Sequence, residues 1–245
     1  MRAMILAAGL GTRLRPLTSD RPKALVNLAG HTLLEITLSR LSVFGVREVI
    51  VNVHHFADQV VDYLTANRNF GMRIEISHEP VLLDTGGGLK KAAWFFLGSG
   101  TGANEPFIVH NVDVLSTIDL ARMVEFHVQH NALATLAVAE RPTTRPLLFD
   151  AGGQLRGRGA TTKSELPSDS SAQSFQPLAF SGIHVVSPRI FAKLEDGAFS
   201  IVNAYVRLAA QGESIFSFRA DGCYWRDLGR PEHLIEAARD WTSGK

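Results

Sequence analysis

Apolar runs and segments of helical periodicity alternate along the first half of the chain. The predicted strands lie at 3–8, 48–53, 72–77 and 106–114, and the predicted helices at 32–45, 56–67, 87–96 and 119–130. Strands separated by helices indicate βαβ units, which form a parallel sheet. Ligands bind such sheets outside the carboxyl ends of the strands. The pattern therefore predicts that the loops at 9–23 and 78–88 and the corner at 111–113 share one edge of the sheet.

The second half of the chain is richer in predicted strands. These lie at 133–140, 147–157 (with a turn at 152–153), 178–187 and 215–219, and predicted helices lie at 199–212 and 229–241. The polar, serine-rich stretch at 161–176 predicts a mobile loop. Because no repeat or linker interrupts the pattern, we expect one domain over residues 1–245. We predict an α/β fold, with a Rossmann-like, mostly parallel or mixed sheet flanked by helices.

Composition narrows the class of protein. Hydrophobic residues make up 45% of the 245 positions, which is enough for a sizeable core. The formal net charge is +1, so no global field attracts nucleic acid or a membrane surface. A single cysteine, Cys223, permits neither an intrachain disulfide nor a cysteine-based zinc site. Since no apolar run matches a membrane span or a signal peptide, we expect a cytoplasmic protein.

The loop after the first predicted strand, "AAGLGTRLRPLTSDRPKALV", combines glycines with cations. It is not a dinucleotide fingerprint, because Leu14 stands where the third glycine is needed, and it lacks the lysine–serine/threonine pair of a P-loop. Glycine-rich turns present backbone N–H groups to phosphate oxygens, and Arg13 and Lys23 supply positive charge. The loop therefore predicts a site for a small anionic ligand.

The chain resembles the sugar-1-phosphate nucleotidyltransferases over essentially its whole length. The resemblance is carried by this loop and by the stretches "LDTGGGL", "NVD" and "WRDLGRPE". The resemblance implies the single-domain fold of that family, with a nucleotide-binding half at 1–115 and a sugar-phosphate-binding half at 116–245. It implies a nucleoside triphosphate and a sugar 1-phosphate as the partners of the chain, with no nucleic acid and no membrane. Oligomeric state is not predicted.

The same resemblance implies roles for individual residues. The nucleotide-binding residues would be Ala7, Ala8, Gly9, Gly11, Thr12, Arg13, Lys23, Glu79, Asp84, Gly86 and Gly87. The catalytic residues would be Arg13, Lys23 and Asp113. Gly11, Thr12 and Arg13 would hold the β- and γ-phosphates, and Lys23 would face the α-phosphate and the sugar phosphate.

Two aspartates match the metal positions of the family. Asp113 ends a predicted strand, and Asp227 lies in "WRDLGRPE". Two carboxylates supply part of an octahedral Mg²⁺ shell, which phosphate oxygens and water complete. We therefore expect Mg²⁺ as the cofactor. A helix cap near Pro231 is the competing role for Asp227.

The acceptor side matches the family less well. Val112 stands where a glycine is usual, so either its backbone is ordinary or its side chain fills part of the sugar pocket. Leu166 replaces the lysine of a glutamate–lysine–proline motif that grips the sugar phosphate in many relatives. The remaining candidates for sugar binding are Asn111, Ser181 and Gly182.

Base choice depends on the stretch "SHEPVLLDTGGGLKKA". Its three consecutive glycines suggest close approach to a ligand. Glu79 stands where many relatives have glutamine, and a carboxylate only accepts hydrogen bonds. Guanine offers two adjacent N–H donors and uracil offers one, so both bases stay open. Asp84 stands where glycine is common, which resembles the branch containing N-acetylmuramate-1-phosphate uridylyltransferases.

The leading hypothesis is Mg²⁺-dependent transfer of a nucleotidyl group from UTP or GTP to a sugar 1-phosphate, most similar to uridylyl transfer to N-acetylmuramate 1-phosphate. A mannose- or heptose-1-phosphate guanylyltransferase is the alternative within the family. A cytidylyl-type enzyme acting on a phospho-alcohol shares the N-terminal motifs. A non-catalytic regulatory subunit that binds nucleotide-sugars would tolerate loss of Lys23 or Asp113, and both are present.

Overall fold

The computed structural model describes residues 1–98, 105–159 and 175–242. Within these residues the chain forms thirteen strands and seven α-helices. The strands are β1 (Arg2–Leu6), β2 (Asn27–Leu28), β3 (His31–Thr32), β4 (Glu48–Val53), β5 (Arg73–His78), β6 (Phe107–Asn111), β7 (Val114–Ser116), β8 (Ala134–Ala139), β9 (Leu147–Phe149), β10 (Leu155–Arg158), β11 (Gln176–Val186), β12 (Ile215–Arg219) and β13 (Trp225–Asp227). The helices are α1 (Leu33–Val43), α2 (Ala57–Ala66), α3 (Asp84–Lys91), α4 (Ala93–Leu97), α5 (Leu120–Gln129), α6 (Ile201–Ala210) and α7 (Pro231–Thr242).

Nine of the described strands form one sheet. β6, β1, β4 and β5 lie side by side and parallel, with Ile5 opposite Val51 on one side and His110 on the other. Beyond β6 the sheet becomes mixed, because β11 runs antiparallel to β6, β8 and β9. β12 then pairs with β8 in parallel. The predicted α/β fold with a mixed sheet is confirmed, and the sheet runs through both halves of the chain.

Helices cover both faces of this sheet, and the alternation of side chains along each strand decides which face a residue joins. Ala3 and Ile5 lie in the core that also takes side chains from α1, α2, α5 and α7. Met4 lies in the opposite core, against α3, α4 and α6. No helix in the described part of the chain is both long and apolar enough to cross a membrane.

Local chemistry sets several helix boundaries. Thr32 caps α1, since its Oγ1 accepts a hydrogen bond of 3.1 Å from the Glu35 N–H. Gly45, at φ +80°, follows the end of that helix. Asp119 caps α5 in the same way, at 3.0 Å from the Arg122 N–H. Side-chain caps thus mark where α1 and α5 begin, and a glycine with positive φ follows the end of α1.

The principal departure from the predicted elements lies after β6. The apolar run at 106–114 predicts one strand, but β6 ends at Asn111 and Val114 begins β7. β7 pairs with β13, which the sequence pattern does not predict because it is only three residues long. Of the predicted loop at 161–176, only 175 and 176 lie in the described residues, and Leu166 lies outside them.

Candidate active site

Three adjoining cavities open along the edge where the parallel strands end, as far as the described residues show. The first cavity, of about 350 Å³, lies between the loop after β1 and the segment at 79–85. The second cavity, of about 480 Å³, lies between Asp113, Arg141 and Asp227. The third cavity, of about 740 Å³, lies between β9, β11 and the start of α6. Asn111 lines all three, so they form one continuous region.

The two predicted metal ligands lie on neighbouring segments of this region. β7 and β13 pair antiparallel, with Asp227 opposite Val114. The Leu228 N–H donates a hydrogen bond of 2.7 Å to the Asp113 carbonyl oxygen, which ties the two segments together. Both aspartates line the second cavity. Residues that are 114 positions apart along the chain therefore come together through a short two-stranded ladder.

Asp227 also stabilises the turn before α7. Its Oδ1 accepts a hydrogen bond of 2.7 Å from the Gly229 N–H, and its carbonyl oxygen accepts one of 2.7 Å from His233 Nδ1. The turn therefore uses one carboxylate oxygen, and no other described residue donates a hydrogen bond to Oδ2. The turn therefore leaves Oδ2 available for the predicted metal role.

Lys23 contacts Asp113 directly. Its Nζ forms an ion pair with Asp113 Oδ2, and the two side chains are 11% and 18% exposed. Low exposure limits the screening of this pair by solvent. The predicted catalytic lysine and the predicted metal ligand thus neutralise one another, next to the boundary between the first and second cavities.

Arg13 lies over Gly229, beside Asp227. A Cβ atom built on Gly229 would lie 2.7 Å from Arg13 Nη2 and 2.7 Å from Asp227 Oδ1, so a side chain there would displace one of them. Arg13 lines the second cavity. The structure therefore brings Arg13 beside Asp227, near the other end of the chain, and both line the second cavity with Asp113.

Gly11 and Thr12 shape the loop that carries Arg13. Gly11 has φ +64°, and a Cβ atom there would lie 3.0 Å from Thr18 Cγ2 and 3.1 Å from Lys23 Cβ. Thr18 Oγ1 donates a hydrogen bond of 2.9 Å to the Gly11 carbonyl oxygen. The loop thus needs glycine for its own close packing, whereas Thr12 is exposed.

The first cavity is lined by Ala7, Ala8, Gly9, Lys23, Glu79 and Asp84, all predicted nucleotide-binding residues. Its wall contains a buried hydrogen-bond chain that the sequence analysis missed. Asn52 Oδ1 accepts a bond of 2.7 Å from the Ala7 N–H, and Asn52 Nδ2 donates one of 2.7 Å to Glu79 Oε1. Asn52 lies in the apolar run of β4, and a lone amide in a buried strand is the signal that could have found it.

Glu79, the predicted base-reading residue, is held by the protein itself. It is 0% exposed. Besides the bond from Asn52, its Oε2 accepts a hydrogen bond of 2.9 Å from the Leu83 N–H. Both carboxylate oxygens are thus engaged by the protein, and the observed contacts make Glu79 a support for the loop at 79–83.

Gly86 and Gly87 do not line any of the three cavities. Both N–H groups donate to the Phe199 carbonyl oxygen, at 2.8 and 3.3 Å. A Cβ atom on Gly86 would lie 2.2 Å from Phe199 Cε2, and one on Gly87 would lie 2.2 Å from the Gly197 carbonyl oxygen. These glycines therefore make a close approach to another segment of the chain, and their predicted contact with a nucleotide stays a prediction.

Asp84 and Val112 both stand where the family usually has glycine, and their backbone conformations differ. Asp84 has φ +57°, the left-handed region that glycine adopts easily, and its Oδ1 accepts a hydrogen bond of 2.6 Å from the Thr85 N–H. Val112 is absent from the residues with positive φ and is buried in the core, at 4% exposure. Of the two possibilities for Val112, the ordinary backbone is therefore the observed one.

Ser181 and Gly182 lie in an irregularity of β11. The register of β11 with β8 shifts between Phe180 and His184, and Gly182 has φ +75°. A Cβ atom on Gly182 would lie 2.9 Å from Asn111 Nδ2. The irregularity thus brings β11 against Asn111, so the three predicted sugar-binding residues do meet along the second cavity.

Arg141 is a residue of this site that the sequence analysis missed. Its Nη1 donates 3.0 Å to Ser181 Oγ and its Nη2 donates 2.6 Å to the Phe180 carbonyl oxygen, while its guanidinium lies 3.6 Å from the centre of the Trp225 ring. Burial lowers the pKa of Arg141, and nearby Asp227 acts in the opposite direction. The sequence signal that could have identified Arg141 is a cationic residue just past the end of β8, at the sheet edge where β6 also ends.

A profile of the family described as nucleotidyl transferase matches residues 2–244. N-acetylmuramate alpha-1-phosphate uridylyltransferase from Caulobacter vibrioides is 38% identical over 251 residues, covering 96% of this chain and 94% of that protein. Mannose-1-phosphate guanylyltransferase catalytic subunit beta from Drosophila melanogaster is 30% identical, covering 96% of this chain and 61% of that protein. The chain thus spans about three fifths of the length of this guanylyltransferase.

Solved structures share the fold at lower identity. HddC from Yersinia pseudotuberculosis complexed with GMP-PN matches with a TM-score of 0.76 and 22% identity, over 98% of this chain and 99% of that one. UDP-glucose pyrophosphorylase complexed with UDP-glucose matches with a TM-score of 0.78 and 18% identity, over 100% and 99%. At these identities the likeness supports the fold.

Proposed function

Since the chain belongs to the nucleotidyl transferase family, as its motifs predicted, we propose that it transfers a uridylyl group from UTP to N-acetylmuramate 1-phosphate. The proposal for this pair of substrates takes its support from the 38% identity to the Caulobacter uridylyltransferase, which extends over nearly the full length of both chains. The family fold and the site residues support the broader reaction, transfer of a nucleotidyl group to a sugar 1-phosphate.

One observation carries the proposed chemistry. Lys23, Asp113 and Asp227 meet at one edge of the sheet, and Arg13 reaches the same place from the loop after β1. Two cations and two carboxylates in adjoining cavities suit a reaction in which a triphosphate and a phosphate must approach each other despite their negative charge.

The proposed reaction forms one P–O bond and breaks another. An oxygen of the sugar phosphate attacks the α-phosphorus of UTP, and the bond from that phosphorus to the bridging oxygen of the β-phosphate breaks. The products are the nucleotide-sugar and pyrophosphate. Because the attacking phosphate is already an anion at neutral pH, no side chain has to remove a proton. Positioning and charge neutralisation then supply the rate enhancement.

In this proposal the cations of the site have separate tasks. Arg13, together with the backbone of Gly11 and Thr12, faces the departing β- and γ-phosphates. Lys23 faces the α-phosphate and the attacking phosphate, exchanging its contact with Asp113 for these groups. Arg141 holds Ser181 and Trp225 in place and adds positive charge beside Asp227.

The residues present fit a magnesium ion. Asp113 and Asp227 are oxygen ligands of the type that Mg²⁺ prefers, and Asp227 keeps Oδ2 free of hydrogen bonds from described residues. The described residues contain no cluster of three or more acidic, histidine or cysteine side chains that would form a complete protein cage. Mg²⁺ is usually bound by one or two carboxylates together with substrate phosphates, as proposed for this site. When bound, it would neutralise phosphate charge.

The base would lie in the first cavity, which Glu79 and Asn52 line. Uracil is the proposed base, and guanine is the alternative that the guanylyltransferase relatives support. Because the carboxylate of Glu79 is bonded to the protein, we propose that it fixes the shape of this cavity and that contacts to the base come from groups around it. The proposed place of the reaction is the cytoplasm, where nucleoside triphosphates are available.

The test is pyrophosphate release from UTP, GTP, dTTP, CTP and ATP, each with N-acetylmuramate 1-phosphate, N-acetylglucosamine 1-phosphate or mannose 1-phosphate, in the presence of Mg²⁺. The expected result is the highest kcat/KM for UTP with N-acetylmuramate 1-phosphate. A higher kcat/KM for GTP with mannose 1-phosphate would replace this pair with the guanylyl alternative. Tight nucleotide-sugar binding without pyrophosphate release from any pair would support the regulatory role instead.

A further inference from the structure

The third cavity contains polar groups that the proposed reaction does not use. Among the described residues, Arg145 and Arg158 line this cavity and neither of the other two, whereas the acidic residues Asp84 and Asp227 are shared with the first and the second cavity. The positive charge thus belongs to the third cavity itself, and the negative charge lies where it adjoins its neighbours.

The two arginines keep most of their hydrogen-bonding capacity. Arg158 Nη1 donates 3.3 Å to Asn203 Oδ1, and no carboxylate of the described residues pairs with either guanidinium. Both side chains are exposed. A guanidinium presents five N–H donors in a planar fork that matches a carboxylate.

The start of α6 adds backbone donors to the same wall. Ser200 precedes the helix and makes no side-chain cap, and the Ile201 N–H donates 3.0 Å to Thr85 Oγ1. The N–H groups of Val202 and Asn203 meet no acceptor among the described residues, although both residues line the cavity. These groups, with the helix dipole, favour an anion at this end of the cavity.

A buried histidine also lines the third cavity. His184 is 1% exposed and lines the third cavity, and its Nε2 has no hydrogen-bond partner among the described residues. Its Nδ1 lies 2.5 Å from the Tyr205 hydroxyl. Burial, with a smaller effect from His110, lowers the pKa of His184 to about 3, so it offers a neutral polar atom rather than a charge.

We propose that the third cavity binds a carboxylate carried by the sugar of the acceptor, through Arg145, Arg158 and the start of α6. This inference rests on the proposed nucleotidyl transfer and adds the group that selects the acceptor. Apolar side chains of Leu147, Phe180 and Ile201 lie in the same wall. A short carbon chain ending in a carboxylate, such as the lactyl ether of N-acetylmuramate, matches both the apolar and the cationic parts of this wall.

The competing role for these arginines is contact with the acceptor phosphate, which every sugar 1-phosphate carries. The two roles differ in a measurable way. N-acetylmuramate 1-phosphate and N-acetylglucosamine 1-phosphate share the phosphate and the acetamido group, but only the former has the lactyl carboxylate. A contact to the carboxylate changes the ratio of kcat/KM between these two acceptors, and a contact to the phosphate does not.

The experiment measures kcat/KM for both acceptors with UTP and Mg²⁺, for the unaltered chain and for Arg145→Gln, Arg158→Gln and Arg145→Lys. Each glutamine variant should lower kcat/KM for N-acetylmuramate 1-phosphate roughly 10- to 100-fold, the range for a lost hydrogen bond to a charged group, with less than a twofold change for N-acetylglucosamine 1-phosphate. Arg145→Lys should fall in between, because it keeps the charge and loses the fork.

Arg156→Gln is the matched control. Arg156 lies on β10 like Arg158, but it pairs with Asp150 and lines none of the three cavities. It should leave both acceptors within twofold. Equal losses for both acceptors in the Arg145 and Arg158 variants, or no loss, would overturn the carboxylate assignment while the transferase stands. Absence of pyrophosphate release from either acceptor with any triphosphate would overturn the proposed function as well.

Discussion

The first and third cavities open at the same edge of the sheet, but their polar groups are bonded differently. In the first cavity Ala7, Asn52 and Glu79 bind one another and the loop at 79–83. In the third cavity the N–H groups of Val202 and Asn203 find no acceptor among the residues that the structure describes. The protein itself therefore holds the wall of the first cavity in shape, whereas the third cavity keeps backbone donors available for a substrate.

The comparison implies that catalysis depends on groups beside the first cavity and acceptor choice on groups in the third. Lys23 and Asp113 stand where the first cavity meets the second. Changes to them should lower the rate with every acceptor and every base. Changes within the third cavity should instead alter the ratio between acceptors, as the arginine variants test.

Asp113→Asn should have the largest effect. Removing the carboxylate charge should lower kcat about 10²- to 10⁴-fold with all acceptors, because several kcal/mol of charge stabilisation in the transition state depend on it. Pyrophosphate release measures this loss, with circular dichroism confirming the fold. Asp62→Asn, at an exposed position of α2, is the control and should leave kcat unchanged. Activity near that of the unaltered chain would remove Asp113 from the metal site.

Lys23→Ala should lower kcat/KM by about 10²- to 10³-fold, as for loss of one donor aimed at developing charge. Lys23→Arg should recover only part of this, because the side chain is 11% exposed and packs against Gly11, which leaves little room for a planar guanidinium. Lys91→Ala, an exposed lysine at the end of α3, serves as the control. Full recovery by arginine would indicate a loose electrostatic role.

Glu79→Gln should lower kcat/KM for UTP, dTTP and GTP in parallel, by about tenfold. Glutamine has one acceptor oxygen and one amide donor, and that donor would face either Asn52 Nδ2 or the Leu83 N–H, which are themselves donors. Glu75→Gln on β5 is the control. A loss confined to GTP would show that Glu79 contacts the base. It would also weaken the contrast between the first cavity, whose polar groups are bonded to the protein, and the third cavity, whose groups are not.

The smallest effect concerns pH and the neutral histidine of the third cavity. Burial lowers the pKa of His184 to about 3 and that of His127 to about 4, both below the 6.5 of an unfolded chain. The unfolded chain therefore binds protons first as pH falls, so stability is full above pH 7 and declines between about pH 6.5 and 4.

At pH 5.5 each of these imidazoles should lower the free energy of unfolding by about 1.4 kcal/mol relative to pH 7.5. Urea denaturation at several pH values measures how steeply the free energy of unfolding depends on pH. That slope reports the number of protons bound on unfolding, and His184→Asn should reduce this number by one. His127→Gln is the matched comparison, since His127 is bonded to Thr135 and Ser187 whereas His184 keeps an unpartnered nitrogen. An unchanged slope in both variants would mean that these histidines are charged in the folded chain.

Much of the fold followed from periodicity alone. β4 and β12 begin and end where their apolar runs do, and α1 begins after a threonine cap and stops before Gly45. The run at 106–114 was wrong as one strand, because apolar character continues through a turn that only pairing with β13 reveals. Short ladders such as β7 and β13 leave little periodic signal, since three residues do not establish an alternation.

The sequence by itself determined the edge of the sheet at which the proposed chemistry lies and the residue types that meet there: a glycine-rich loop with Arg13 and Lys23, and carboxylates at Asp113 and Asp227. The positions of polar residues after predicted strands are properties of local sequence, and in a parallel sheet these positions share one edge, so this location could be predicted. Only the tertiary structure decided that Gly86 and Gly87 pack on the segment at 197–199, that Glu79 bonds to Asn52, and that Arg141, Arg145 and Arg158 face the cavities. Each of these depends on contacts between residues far apart in the chain, where residue type limits the possible partners but only packing selects one.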